Sequence, residues 1–588
     1  MGRVVSPKSS VGLARRLAPL LAAGLSLILS GCGGSSSGTT PPPPHSSYSV
    51  SATALSPSSV NSGNSASATI SVTPANGYTG QVTLSCSSIT GGGAPAPVCA
   101  FSKNPVAVNA TGGSSTLNVA TNFGTPAATY TVKVSAADAT GSVPANGPLT
   151  LQLATTASIQ HVVVIFQENR TPDNLFQDPN LIKAGADIAP SGFNSKGANI
   201  PLTPIDLSPT TSNPDVYDLD HSHSAFTKMC DFDSTSGTCK MDGADLIAVF
   251  CAGAANCPPP NPQFKYVNPA DVQPYFAMAE QYTFGDRMFQ TNQGPSFPAH
   301  QFLISATSAP SPGSNLFVEN NPVKPKSDNT GCIAPPTQTV TVIDPNGIET
   351  TQYPCFEHQT LTDLLNAQGI SWRYYANSAG TIWTAPNAIQ HMCGPNATPP
   401  NATKCTASDW TNNVVLKYTQ VLTDIANNQL AQVSWVTPNG LQSDHAQSTD
   451  GTGPSWVASV VNAIGNSPYW SNTAIFITWD DWGGWYDHVP PKIINSYEYG
   501  FRVPLIVISP YAKAQHISHS THDFGSMLKL IEETFGLQSL GYADAAADDF
   551  ADCFDFTQTP LKFQTINAPL KAAYFLNDKS PPVDPDDD

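Results

Sequence analysis

The chain has 588 residues, a formal net charge of −18, only 25 lysines and arginines, and 40% hydrophobic residues. That acidity argues against a nucleic-acid partner, which needs a basic face, and leaves little to attract anionic membranes. The length allows roughly three or four domains, and 53 prolines with 42 glycines imply many loops.

Residues 1–32 read as a lipoprotein signal peptide. Arg3, Lys8, Arg15 and Arg16 supply the positive end, and LAPLLAAGLSLILS the apolar core. That core is too short for a comfortable membrane span. Leu29-Ser30-Gly31-Cys32 resembles a bacterial lipobox. It implies an exported protein, lipid-anchored to the cell envelope or secreted, with membrane contact through a lipidated Cys32; ordinary signal cleavage would leave that thiol free. Residues 33–47, GGSSSGTTPPPPHSS, form a flexible linker.

Residues 48–155 alternate apolar and polar positions in SASATISVTPANG, STLNVAT and ATYTVKVSAA, broken by Gly, Pro and Asn. The spacing predicts an all-β, immunoglobulin-like sandwich of about seven strands. The pair LSCS and VCAFS resembles bacterial Ig-like modules. With few charges and no histidine, the expected job is spacing or adhesion, with binding to glycans or surface proteins left open.

Setting Cys32 aside, ten cysteines fall into near neighbours: Cys86/Cys99, Cys230/Cys239, Cys251/Cys257, Cys332/Cys355 and Cys393/Cys405. Short loops of this kind predict disulfides in an oxidising compartment. Cys553 is left over as a buried thiol.

From about 157 to 575 the pattern changes to apolar runs alternating with helical stretches. VVVIF at 162–166, ISWRYYA, QVSWVTPN, TAIFITW and VPLIVISP read as strands covered on both faces. TLTDLLNAQG, SWVASVVNAIG and FGSMLKLIEETFG read as the helices between them. This predicts a doubly wound α/β/α sandwich. Residues 181–265 and 310–356 are excursions above the sheet, and 576–588 is a disordered acidic tail.

Two strand ends deliver Glu168-Asn169 and Asp480-Asp481. In one parallel sheet their oxygens can converge, and clustered carboxylates need a cation among them. An oxygen set with one amide suits one divalent ion, Ca²⁺, Mg²⁺ or Mn²⁺, with iron and zinc still open. Ser296, after Gly294-Pro295 and ahead of Pro298, stands at a helix start suited either to a phosphate or to simple capping.

ENRTPDNLF, GPSFPAHQFLIS, ITWDDWGGWYDHVPP and YGFRVPLIVISPYAK, in this order, resemble the bacterial phosphoesterase family of non-specific phospholipases C and acid phosphatases, within the alkaline phosphatase superfamily. The resemblance covers roughly residues 158–540. It implies a metal-dependent phosphoric ester hydrolase acting on a phospholipid or a small phosphomonoester. Glu168, Asn169, Asp480 and Asp481 match its metal ligands, and Ser296 the nucleophile that binds the same ion and forms a phosphoseryl intermediate. His221 and His445 lie where relatives carry active-site histidines, and His488 is a further candidate. Asp481 replaces the more usual Glu, and Ala299-His300 replace Asn-Arg. The alternative is a surface adhesin with an inactive phosphoesterase-like domain.

Other residues carry local expectations. His516, His519 and His522 recur every three residues but read as solvated or packing side chains before a helix starting near Asp523. Asp444 either orients His445 or caps a turn. Arg170 pairs locally, and Arg502 bridges strand and loop carboxylates. Trp479, Trp482 and Trp485 suit either the core or a cage for a quaternary ammonium.

Overall fold

Alternation along Ser65–Ala75 sends Ala66, Ala68, Ile70 and Val72 inward and Ser65, Ser67 and Thr69 to solvent. The same period builds two facing sheets. One runs Ser47–Ala52, Ser65–Ala75, Gly113–Ala120, Val98–Phe101; the other runs Ser59–Val60, Leu149–Thr155, Thr129–Asp138, Gly80–Thr90, Val106–Val108. These nine strands outnumber the seven expected because Ser59–Val60 and Val106–Val108 are too short to show a period. The Cys86–Cys99 disulfide joins the two sheets.

The computed structural model describes residues 45–93, 95–156, 159–208, 217–251, 257–323, 329–581 and 583. The signal peptide, Cys32 and the linker up to residue 44 lie outside the described residues. The chain divides into units Met1–Ser46 and Ser47–Asp588, the first described only at His45 and Ser46. Among the described residues, no helix is long and apolar enough to cross a membrane.

Beyond the sandwich, the elements that position the site are, in chain order, β1 (His161–Gln167), α1 (His223–Cys230), α2 (Gln273–Gln281), β2 (Thr283–Gly285), α3 (Ser296–Ser305), α4 (Leu361–Gln368), β3 (Trp372–Tyr375), β4 (Val414–Val415), α5 (Gln420–Ala426), β5 (Val433–Val436), α6 (Gly453–Gly465), β6 (Thr473–Trp479), β7 (Leu505–Ile508), β8 (His516–Ser518) and α7 (Phe524–Phe535). The eight strands form one sheet in the order β4-β3-β5-β1-β6-β7-β2-β8. Strands β4 to β6 along this order are parallel, whereas β7 runs antiparallel to both β6 and β2. The run VPLIVISP was expected among the parallel strands; a fully buried strand carries no directional mark in its sequence. Helix α6 gathers α2 and α5, and α3 packs with α7 and α4, giving the two helical layers of a doubly wound α/β/α sandwich. Asp523 caps α7 with Ser526 in a reciprocal box, and Gly536 ends it in the left-handed conformation (φ 64°).

The β-sandwich is seated on this domain. Phe123 stacks on Phe556 with ring centroids 4.8 Å apart and packs against the large core. Asn122 Nδ2 donates to Glu533 O at 3.0 Å, and a Cβ on Gly124 would lie 1.5 Å from Thr534 O. Where a disordered tail was expected from 576, helix Ala572–Asn577 packs on α6, Val583 N–H donates to the side-chain oxygen Asn439 Oδ1 (2.8 Å), and Val583 O accepts from Gly440 N–H (3.2 Å); residues 582 and 584–588 lie outside the described residues. All five expected disulfides are formed, and Cys553 is a buried free thiol.

Candidate active site

Strands β1 and β6 are parallel neighbours with Gln167 opposite Trp479, so the residues after them leave the sheet side by side at its carboxyl edge. The ladder runs on: Asp480 N–H donates to Gln167 O at 3.0 Å. Asp480 Oδ1 accepts from the backbone N–H groups of Asn169 (3.2 Å) and Asp481 (2.7 Å). Asn169 takes a left-handed φ of 63°, which Asn tolerates better than most residues. Gly483 follows at φ 63°, and a Cβ there would lie 2.4 Å from Asn169 O, so only glycine lets the second loop close over the first.

Ser296 opens α3, and its hydroxyl donates to Asp481 Oδ2 at 3.1 Å while lying 3.4 Å from Glu168 Oε2. Gly483 N–H fixes the other oxygen of Asp481 at 2.8 Å. One turn along the same face of α3, His300 Nε2 stands 3.2 Å from Glu168 Oε1 and 3.7 Å from Asp480 Oδ2. Glu168, Asn169, Ser296, His300, Asp480 and Asp481 are all fully buried. Glu168, His300 and Asp480 approach closely enough to hold a metal ion together. Asp480 Oδ2 and Asn169 Oδ1 accept no hydrogen bond among the described residues. Buried acceptors converging without donors fit a cation, because unscreened carboxylates in a dry site repel one another.

The two expected histidines sit beside this edge. His221 Nδ1 lies 2.7 Å from Leu219 O, so that nitrogen carries the proton and Nε2 accepts from Asn169 Nδ2 at 3.1 Å. His445 Nδ1 likewise faces Ala446 O at 2.6 Å, and the two rings are 6.0 Å apart. His488 is placed differently. Its ring nitrogens bond to Asp173 Oδ2 (2.7 Å) and Asp187 Oδ1 (2.9 Å), in a network centred on the buried Arg502. Burial opposes its charge, but the Asp173 hydrogen bond and the charges of Asp173 and Asp487 raise its pKa to about 9.

The surrounding residues resolve as follows. Asp444 neither orients His445 nor caps a turn through its side chain: its Oδ2 accepts from Tyr275 OH at 2.6 Å, and burial raises its pKa to about 7. Arg170 donates twice to Asp444 O (3.0 and 2.6 Å) and lies 5.0 Å over the Trp485 ring. Arg502 joins both oxygens of Asp487 to Asp173 and to the carbonyls of Asp187 and Asp286. Trp479, Trp482 and Trp485 are core, with no face open for a cage. His516, His519 and His522 pair with three different carboxylates, Asp552, Asp286 and Asp548.

The profile of the Phosphoesterase family matches residues 159–538. The chain belongs to the phosphoesterase family. It is therefore a hydrolase of phosphoric ester bonds. Phospholipase C B of Mycobacterium tuberculosis (strain ATCC 25618 / H37Rv) is 24% identical over 468 residues, covering 71% of this chain and 81% of that enzyme. Hemolytic phospholipase C of Pseudomonas aeruginosa is 24% identical over 458 residues, covering 69% of this chain and 57% of that enzyme. Among solved structures, an alkaline phosphatase superfamily protein from Vibrio parahaemolyticus matches with a TM-score of 0.28 and 10% identity, over 47% of this chain and 64% of that one. Within this family member, the third corner beside Glu168 and Asp480 belongs to His300, which sequence reading noted only as a departure. Its spacing of four residues from Ser296 was the available signal, since it puts both on one helix face. Asp481, expected among the metal ligands, also accepts the serine hydroxyl.

Proposed function

We propose that this phosphoesterase transfers the phosphoryl group of its substrate to Ser296 and from there to water. The observation that carries this reading is the buried Ser296 hydroxyl, hydrogen-bonded to Asp481 Oδ2 at 3.1 Å at the start of α3. Asp481 is in position to draw the proton from Oγ as the oxygen attacks phosphorus in line with the leaving alcohol. The bond to the leaving oxygen breaks as a histidine that enters as the imidazolium protonates it; His445 fills this role, because His221 Nε2 accepts from Asn169 and carries no proton there. The same imidazole then takes a proton from the water that cleaves the phosphoseryl ester. A divalent cation held by Glu168, Asn169 and Asp480 would neutralise charge on the phosphoryl oxygens and acidify the serine. His488, with both nitrogens tied to carboxylates, braces the loop after β6 and takes no part in proton transfer.

Relatives named phospholipase C favour a phospholipid diester over a simple monoester. A lipid on Cys32 would hold the enzyme at the bacterial envelope, with the N-terminal Ig-like sandwich as its spacer. The test is hydrolysis of phosphatidylcholine and of chromogenic phosphate mono- and diesters by the purified chain, with and without a chelator. We expect Ser296→Ala to lose roughly 10³-fold or more in kcat. Activity that survives this substitution sinks the reading, and the preferred ester decides the substrate class.

A further inference from the structure

His300 is the feature of this site that the proposed reaction leaves without a task. Its Nδ1 lies 3.4 Å from the hydroxyl oxygen of Tyr374. Tyr374 spends its single proton on Trp383 O at 2.6 Å, so the tyrosine oxygen is the acceptor and His300 Nδ1 the donor. A neutral ring held this way carries its lone pair on Nε2, the atom aimed at Glu168 Oε1 and Asp480 Oδ2. Three acceptors then converge, joined by Asp480 Oδ2 as an oxygen without a donor. One nitrogen beside a hydrogen-bond acceptor and the other 3.2 Å from a carboxylate oxygen is the arrangement of a metal-ligating histidine, and Glu168, His300 and Asp480 stand close enough to share an ion. Phe166 edge-on at 5.6 Å and the Trp383 ring at 6.4 Å fix the imidazole plane.

We propose that His300 is a nitrogen ligand of the cation at this site, and that the site therefore takes a transition ion such as Mn²⁺, Fe²⁺ or Zn²⁺ in preference to Ca²⁺ or Mg²⁺. The proposal rests on reading the Glu168–Asp480 edge as a cation site. An all-oxygen set would favour the hard alkaline-earth ions; an imidazole in the first coordination sphere moves the preference along the transition series.

The experiment uses the full chain, stripped with a chelator and reloaded with Mn²⁺ alone, and reads pulsed electron paramagnetic resonance. The expected result is a ¹⁴N coupling of histidine type that disappears in His300→Gln and persists in His221→Gln and His445→Gln. Mn²⁺ affinity should fall roughly tenfold or more in His300→Gln. In the unsubstituted protein, equimolar Zn²⁺ should displace Mn²⁺, and a hundredfold excess of Ca²⁺ should not. A protein that binds no Mn²⁺, one whose Mn²⁺ shows no nitrogen coupling, or a coupling that survives His300→Gln would each overturn the proposal. If His300→Gln fails to fold, the coupling must vanish on [¹⁵N]histidine labelling and persist in the other two variants; any other outcome refutes it. Ester hydrolysis is not read in this experiment, so an inactive protein with His300 coupling keeps this inference while losing the reaction proposed above.

Discussion

Asp481 accepts two hydrogen bonds, one on each oxygen. Gly483 N–H pins one oxygen at 2.8 Å, and the other receives the Ser296 hydroxyl. Asp481→Asn keeps the volume but removes the basic oxygen. We expect kcat to fall about 10²- to 10⁴-fold with little change in KM, measured on whichever ester the enzyme prefers. A small effect would mean that the serine proton leaves by another route. His488 carries a second prediction at this scale. Its pKa is raised from about 6.5 in the unfolded chain to about 9 in the fold. A raised histidine contributes stability that is complete below the unfolded value and lost as pH rises through the folded one. The stability gap between the native chain and His488→Gln should therefore be largest near pH 6, up to about 3 kcal/mol, and close towards pH 9.5. Chemical denaturation at three pH values checks it; a gap that widens with pH would contradict the assignment of charge.

The elements matter through where they end. Strand β6 is buried along its whole length, and its carboxyl end turns back within four residues at Gly483-Gly484, both at positive φ. Gly483→Ala adds left-handed strain of about 1 kcal/mol and drives a methyl against Asn169 O, with no flexible side chain to yield. We expect a loss of more than 2 kcal/mol in urea unfolding together with a drop in activity, because Asn169 must shift. Sequence reading recovered these elements well where the signal was local. The run 162–166, the TAIFITW strand and the FGSMLKLIEETFG helix with its Gly536 stop all lie where expected. It missed the direction of β7, and it could not place His488. The partners of that histidine lie 315 and 301 residues away, beyond any local pattern.

At the scale of the whole molecule, the sandwich keeps its own hydrophobic core and meets the core of the α/β domain at one seam. Phe123 stacks on Phe556 and touches Phe554, Gly124 lies against Thr534 at the end of α7, and Ile159 N–H returns to Phe123 O at 2.8 Å. Phe123→Ala removes a half-buried ring from this seam and should cost roughly 1–3 kcal/mol. The expected signature in scanning calorimetry is a single melting transition splitting into two. A variant that still melts in one step at the native temperature would show that the seam carries no coupling.

Sequence alone determined the chemistry on offer: an α/β sheet, two acidic strand ends, a serine ahead of a helix, five short disulfide loops. Those features are local, set by side-chain period, by glycine and proline, and by cysteine spacing. Tertiary structure alone decided which groups meet. The pairing of β1 with β6 brought Glu168 to Asp480, one turn of α3 brought His300 to both, and Asp481 was turned to Ser296 by a glycine bend. Carboxylates and imidazoles read the same in a chain whether they bind an ion, move a proton or brace a loop. Their role is set by the partners that folding places within about 3 Å of them.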